Sequence, residues 1–486
     1  MNRLRTWSTL LLAMVLVPIL QADDKPASTT WVIDRTLTIS PQAAPVPAFQ
    51  YRLLPLSSTL KEGNAVPIYL RLVHEQSDAA RKYWTETPKA WNDLPIDKLP
   101  KEEAQKFLQG MHYFLRQFEL GARRSTMDWN YTLDAGNPIG LLLPDAQNMR
   151  NFAPMMILQV RMALAQRDFA LAAHHLETGF SFSRQASQAP TLIHSLVGLA
   201  IASQFAGCVA DFVEQPNSPN LYWALTALPR PFFDLRSGYE WEYRMIEMQF
   251  PELGHLDRDR TPEAWDKILH RIRTEIRAIA TYPGDEKTPS KLMDIFTQDN
   301  APDEPASKSR DLPAARQFVA RTKGLSAEKV EAMPASHVLL LYLVGQYHEY
   351  RDDCFRAIYL PYTQRQAIFD AANKRLREKP TSEGHQLARV LLPALFRVSD
   401  VQARFERNIA ALRIVEALRM YAAAHDGQLP EKLSDVTEVP IPLDPTTGLA
   451  FEYSRQDGTA SIISKHVPDA RQQGNGLRYQ VVMRKN

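Results

Sequence analysis

Ala163-Leu164-Ala165-Gln166-Arg167-Asp168-Phe169-Ala170-Leu171-Ala172 decides how this chain is built, because one apolar helical stretch ends near Arg167 and another starts at Phe169. Asp168 suits the junction, since a short carboxylate can accept the N–H groups that a helix leaves unpaired in its first turn. Residues 153–165 read as the helix before the junction, and residues 169–182 and 191–212 as two helices after it. The breaks fall at Arg167-Asp168, at Pro190 and in the turn Pro216 to Pro219. In each stretch apolar residues gather on one helical face, which must bury against a neighbour. Connections this short make consecutive helices antiparallel, so an array of α-hairpins is expected.

The same pattern extends in both directions. In residues 101–122, Phe107, Met111, Phe114 and Phe118 follow one another at helical spacing and predict a single helix with one apolar face. Asn64 is placed to cap a helix that carries Pro67 in its first turn. The apolar residues 49–54 are expected to form a strand. Residues 336–358 predict a long helix whose LLLYLV run from Leu339 is apolar all round, which places it at the centre of the fold. Between these helices, residues 285–312 carry Pro289, Pro302 and Pro305 and the charged run DNAPDEPASKSRD, the composition of a mobile loop.

The N-terminus reads as an export leader. Arg3 and Arg5 precede an apolar run over residues 10–20, followed by Leu20-Gln21-Ala22 and then Asp23-Asp24. That is the order of a secretory signal peptide, with cleavage expected after Ala22. The run is shorter than the ~20 residues that cross a bilayer, and membrane contact is expected only if the segment stays uncleaved. Residues 23–50 hold Pro26, Pro41, Pro45 and Pro47 and read as a proline-rich linker. Cleavage removes two arginines and no acid, which leaves basic and acidic residues in equal number. A neutral chain has no general attraction for phosphate backbones, so nucleic acid is set aside as a partner. Cys208 and Cys354 are the 2 cysteines; in an oxidising compartment a disulfide and two buried thiols are both open, and neither CxxC nor a Cys/His metal spacing occurs.

The tail has a different grammar. Phe405, Ile409, Leu412, Val415, Leu418 and Ala422 form a helical stripe that ends at His425-Asp426-Gly427, where glycine suits a left-handed C-cap. Residues 431–436 read as a turn of helix. Asp457-Gly458 between FEYSRQ and TASIIS signals a hairpin, and residues 478–483 offer a third strand. The fold class expected is therefore mainly α, an antiparallel helical-hairpin array with a small C-terminal α+β module of a helix and a three-stranded antiparallel sheet. Its divisions are 1–22, 23–50, 51–390 and 391–486.

Two resemblances follow from these residues. ALAQRDFALA resembles the inter-helix turn of a tetratricopeptide repeat, over one hairpin and with no 34-residue period elsewhere. The order Asp426-Gly427-x-x-Pro430, then Asp444-Pro445-x-x-Gly448-x-x-Phe451-x-Tyr453, resembles the periplasmic half of the major type II secretion pseudopilins. It covers about residues 401–464 and implies a helix-plus-sheet module used here as a terminal domain. A pseudopilin's helix follows a prepilin-peptidase site and spans the membrane, whereas this one is internal and carries Arg404, Arg407, Arg413 and Arg419. Residues 464–476 do not reproduce that family's acidic calcium loop. The chain as a whole resembles exported bacterial proteins with a helical body and such a tail, which implies no activity.

Candidate chemistry is sparse. The segment YEWEYRMIEMQF over residues 239–250 places Glu240, Glu242 and Glu247 beside Trp241 and Tyr243, residue types that could line a carbohydrate cleft or form an ordinary ion-paired helix. His348 and Asp352 are four apart on one helical face, with Glu349, Arg351, Asp353 and Arg356 around them, a general-base pair or a solvated ion-pair surface. His174-His175 are adjacent on a helix and point about 100° apart, so they cannot chelate one metal. No G-x-S-x-G, P-loop or Rossmann pattern is present. The expectation is an exported, non-enzymatic scaffold or protein-interaction protein of the cell envelope with a protein partner, no cofactor and no metal. The alternative is a hydrolase of an envelope polymer that acts through a carboxylate pair, with acids from the segment Glu240 to Glu247 or from around His348 and Asp352.

Overall fold

The computed structural model describes residues 31–75, 77–131, 138, 143–280, 305–378, 382–464 and 476–484. The leader and most of the loop expected at 285–312 lie outside the described residues. In chain order the elements are β1 (Trp31–Ile39), β2 (Lys61–Asn64), α1 (Val66–His74), α2 (Asp78–Asn92), α3 (Lys101–Gly110), α4 (His112–Ala122) and β3 (Arg124–Thr126). Then follow α5 (Pro144–Ala165), α6 (Phe169–Ser187), α7 (Leu192–Val213), α8 (Tyr222–Thr226), α9 (Arg236–Gln249) and α10 (Pro262–Ala280). The rest are α11 (Leu312–Lys323), α12 (Ala327–Glu331), α13 (Ala335–Ile358), α14 (Tyr362–Arg377), α15 (Glu383–Leu391), α16 (Pro393–Ala424), β4 (Glu452–Gln456), β5 (Thr459–Ser464) and β6 (Gly476–Met483). The protein is mainly α with a small C-terminal α+β module.

These elements form two compact units. One is mainly the continuous stretch Tyr239–Ser399, joined by Tyr131–Leu143; the other gathers Lys25–Asn130, Pro144–Gly238 and Asp400–Asn486. The unit boundaries fall inside α9 and inside α16.

In the discontinuous unit the hairpin α5–α6 is fastened as its sequence demands. Arg167 takes a left-handed φ of 60°, and Asp168 Oδ1 accepts the Leu171 N–H at 2.9 Å. Thr191 caps α7. Helices α5, α6 and α7 pack on one another, and Gly198 of α7 sits so close to α6 that an added Cβ would come within 2.6 Å of the Ser183 carbonyl oxygen. Among the described residues α7 is the one helix long and apolar enough to cross a membrane, and 67% of its apolar window is buried inside the protein. A four-stranded sheet in the order β1-β6-β5-β4 completes this unit. Asp457 and Gly458 supply the positive φ values, 49° and 75°, that the β4–β5 hairpin needs.

Four expectations change here. The stretch read as a linker contains β1, which pairs parallel with β6 from Ile33↔Leu477 to Ile39↔Met483, so the sheet is mixed and four-stranded, with a non-local strand added to three antiparallel ones. Its Leu37 and Ile39 are fully buried, which explains why proline-rich surroundings did not leave it unpaired. Residues 49–54 form bends instead of a strand, with Leu53 alone buried. Residues 101–122 are two helices broken at Met111, directly after Gly110, a residue that weakens a helix interior by roughly 1 kcal/mol. Asn64 ends β2, and its side chain accepts from Val66 N–H at 3.1 Å and Asp128 N–H at 2.9 Å. The cap position itself belongs to Ala65.

In the continuous unit α13 is the central helix. Its Leu339, Leu340, Leu343 and Val344 are buried, as the all-round apolar run required, and α10, α11, α14 and α15 pack against it. Trp265 stacks on His337 at 4.1 Å between centroids, and Arg273 pairs with Glu383 at 2.8 Å. Cys208 lies in one unit and Cys354 in the other, both as buried, unbridged thiols.

Candidate functional site

The carboxylates singled out on α9 meet α13 within the continuous unit. Glu247 Oε1 accepts His348 Nε2 at 2.7 Å and Arg351 Nη1 at 2.9 Å. Burial works against its charge, yet the His348 hydrogen bond and the Arg351 cation hold the carboxyl below its ordinary range. Arg351 is itself buried, with its guanidinium 3.7 Å above the Tyr243 ring and a bond of 2.9 Å to the Tyr243 hydroxyl. The sequence spacing placed His348 and Asp352 together; instead Arg351 Nε takes Asp352 Oδ1 at 3.2 Å while His348 turns to Glu247. Asp353 holds Arg356 and Arg375. Glu240 stands exposed at the start of the segment, apart from this network.

Glu242, on the same helix, is the outlier. Burial alone pushes its carboxyl from the ordinary 4.5 up to about 8. The folded protein therefore holds a proton on Glu242 that the unfolded chain has already released between those two values. Stability must fall as pH rises across that window. Glu242→Gln carries no titration and should remove the effect: its advantage over the wild type grows from pH 5 to pH 8 and is flat above, as urea unfolding at each pH would report. An advantage independent of pH would contradict the assignment.

Elsewhere the sequence candidates are structural. His174 sits between Glu119 at 2.8 Å and Arg123 at 3.2 Å, and burial together with the His174 charge pushes His175 down to about 4. No group of His, Cys, Asp and Glu able to hold a metal occurs among the described residues. The residues of the Asp-Gly and Asp-Pro motifs are fasteners. Asp426 and Gly427 take φ of 50° and 79°, Asp444 accepts Thr446 N–H at 2.8 Å and the Ser464 hydroxyl at 2.5 Å, and the Tyr453 hydroxyl donates to the Pro430 carbonyl at 2.8 Å.

The discontinuous unit has an apolar cleft of about 400 Å³ that sequence reasoning missed. Phe232, Phe405 and Ile409 line it, and Leu443, 59% exposed, stands at its edge. The strap along one side of it is Val-Pro-Ile-Pro-Leu-Asp-Pro, residues 439–445, whose repeated prolines were the available signal. The strap is anchored where the Tyr222 hydroxyl donates to the Pro440 carbonyl. Glu406 accepts the Phe232 N–H at 2.6 Å, and burial raises its carboxyl above the ordinary range. A second apolar loop reaches the same short segment. Asn220 donates to the Gln42 carbonyl at 3.3 Å and the Phe49 ring lies 6.2 Å from Trp223. Val46 at 94% exposure, Leu449 at 69% and Phe49 at 47% thus sit on loops tied to, or continuous with, the elements around the cleft. Compared with known protein families, curated proteins and solved structures, the chain matches none.

Proposed function

We propose that this is an exported, non-enzymatic protein of the cell envelope that works by holding a protein partner. The observation that carries the reading is the apolar cleft with Leu443 at its edge and Leu449 exposed on the turn that follows it, together with Val46 and Phe49 exposed on the loop that contacts Asn220 and Trp223. Apolar side chains held on proline-stiffened loops cost solubility and lose little entropy on binding, which is the signature of a contact surface. Export rests on the leader read from residues 1–22, and the pseudopilin resemblance of the tail agrees with an envelope setting.

The test is capture from envelope extract by the full chain compared with a quadruple variant, Val46→Ser, Phe49→Ser, Leu443→Ser and Leu449→Ser. Substitutions at exposed loop positions leave folding within about 0.5 kcal/mol each. A partner retained by the wild type and lost from the variant is expected. Equal recovery from both, or none above a scrambled-surface control, contradicts the reading.

A hydrolase of an envelope polymer has one observation in its favour, the opposed carboxyls of Glu242 and Glu247 on α9. A carboxyl that keeps its proton near neutral pH and another that does not are the parts of an acid and base pair, while five residues along one helix set these two about 140° apart. Against it, Glu247 is already engaged by a histidine and an arginine. Turnover of an envelope polymer that Glu242→Gln abolishes while the fold persists would establish this reading over the first.

A further inference from the structure

The discontinuous unit holds a second cavity, of about 370 Å³, with a different character. Arg52, Arg124 and Arg184 reach it from three distant parts of the chain, together with Ser125, Thr126 and Gln188, and no aspartate or glutamate lines it. None of the three guanidinium groups has an acidic partner among the described residues. Arg52 lies 5.4 Å from the Phe49 ring centroid and Arg184 5.8 Å from that of Phe232, while Arg124 Nη1 donates to the Glu62 carbonyl at 2.7 Å. Burial holds the Arg184 pKa below the ordinary arginine value, a sign that its charge lacks compensation within the protein.

The walls are rigidly placed. Gln185 accepts the Tyr69 hydroxyl at 2.5 Å and donates to the carbonyls of Gly121 at 3.0 Å and Arg124 at 3.2 Å, which fixes β3 against α6. The Ser181 hydroxyl donates to the Ala122 carbonyl at 2.5 Å and strengthens the same seam. Three cations around one cavity that no carboxylate lines give it a positive potential, and an anion entering it meets that field and supplies the buried Arg184 charge with a partner. Guanidinium forks fit the paired oxygens of phosphate, and hydroxyl and amide side chains fit the alcohol groups of a polyol.

We propose that this cavity binds the phosphate monoester of a sugar-sized alcohol, with Arg52, Arg124 and Arg184 on the phosphate and Ser125, Thr126 and Gln188 on hydroxyl groups. A free sugar phosphate and a phosphorylated polysaccharide offer the same chemistry. Calorimetric titration of the full chain with glucose 6-phosphate, phosphomannan, inorganic phosphate and glucose separates the cases. Glucose 6-phosphate is expected to bind more tightly than inorganic phosphate, with glucose silent and affinity falling as salt rises. Binding of phosphomannan but not of glucose 6-phosphate supports the same site with a polymeric source. Arg184→Gln should weaken binding about tenfold or more. Ser125→Asp, an exposed substitution, sets a carboxylate among the arginines and should weaken it at least as much with the melting temperature maintained. No heat from any phosphate compound at low millimolar concentration, binding unchanged in both variants, or glucose binding as well as its phosphate would overturn the proposal.

Discussion

Arg419→Met is expected to destabilise the discontinuous unit by about 3–5 kcal/mol, the cost of leaving a buried carboxylate without its partner. Arg419 and Glu416 have no exposed side-chain surface, and Arg419 Nη1 meets Glu416 Oε2 at 2.9 Å. The same guanidinium donates to the Ser40 carbonyl at 3.0 Å and to the Ser218 carbonyl at 2.5 Å, and Glu416 Oε1 accepts the Leu221 N–H at 2.8 Å. One ion pair therefore ties together α16, the loop before α8 and the chain leaving β1. Methionine fills the volume and leaves both the acid and those carbonyls unanswered. Burial already raises the Glu416 carboxyl, opposed by Arg419, so removal of the arginine raises it further. A carboxyl raised in the folded state favours folding at low pH and loses that contribution as pH rises. Urea unfolding should thus show a smaller loss at pH 5 than at pH 8. Replacing Glu416 by methionine as well should recover part of it, because a well-packed apolar pair avoids the uncompensated charge.

The second large effect belongs to Gly198. A methyl group there would lie 2.6 Å from the Ser183 carbonyl oxygen and 2.6 Å from Ser187 Cβ, with Ser187 N at 3.0 Å. The obstacle is mainly helix backbone, which has no rotamer to move aside. Gly198→Ala gains helix propensity of roughly 1 kcal/mol and still has to force α6 and α7 apart, an overpacking cost of about 1–3 kcal/mol. Gly198→Val should go further and lower the melting temperature by several degrees or more. Unchanged melting in Gly198→Val would mean that the two helices do not approach as closely as the structure shows.

What the sequence disclosed, and what it withheld, follows from the range of each interaction. The α5–α6 junction was readable because its cap is local: Asp168 answers a backbone group three residues away. The Asp457-Gly458 hairpin was readable for the same reason. Strand β1 was not, since its partner lies more than four hundred residues along the chain and the prolines around it outweighed the alternation in Trp31–Ile39. At the candidate sites, Glu247 and His348 were each suspected on their own helix, but their pairing joins residues 101 apart. Arg52, Arg124 and Arg184 carried no shared signal at all, because a cavity without acids is a property of three-dimensional neighbours.

The proposed function requires that the protein leave the cytoplasm and present the Leu443 cleft to a partner. A photo-crosslinking amino acid at Leu443 in living cells tests both parts at once. The expected result is a discrete adduct in the envelope fraction that is absent when the crosslinker replaces an exposed residue of α14 such as Arg377. Adducts confined to the cytosol, or no adduct beyond that control, would contradict it.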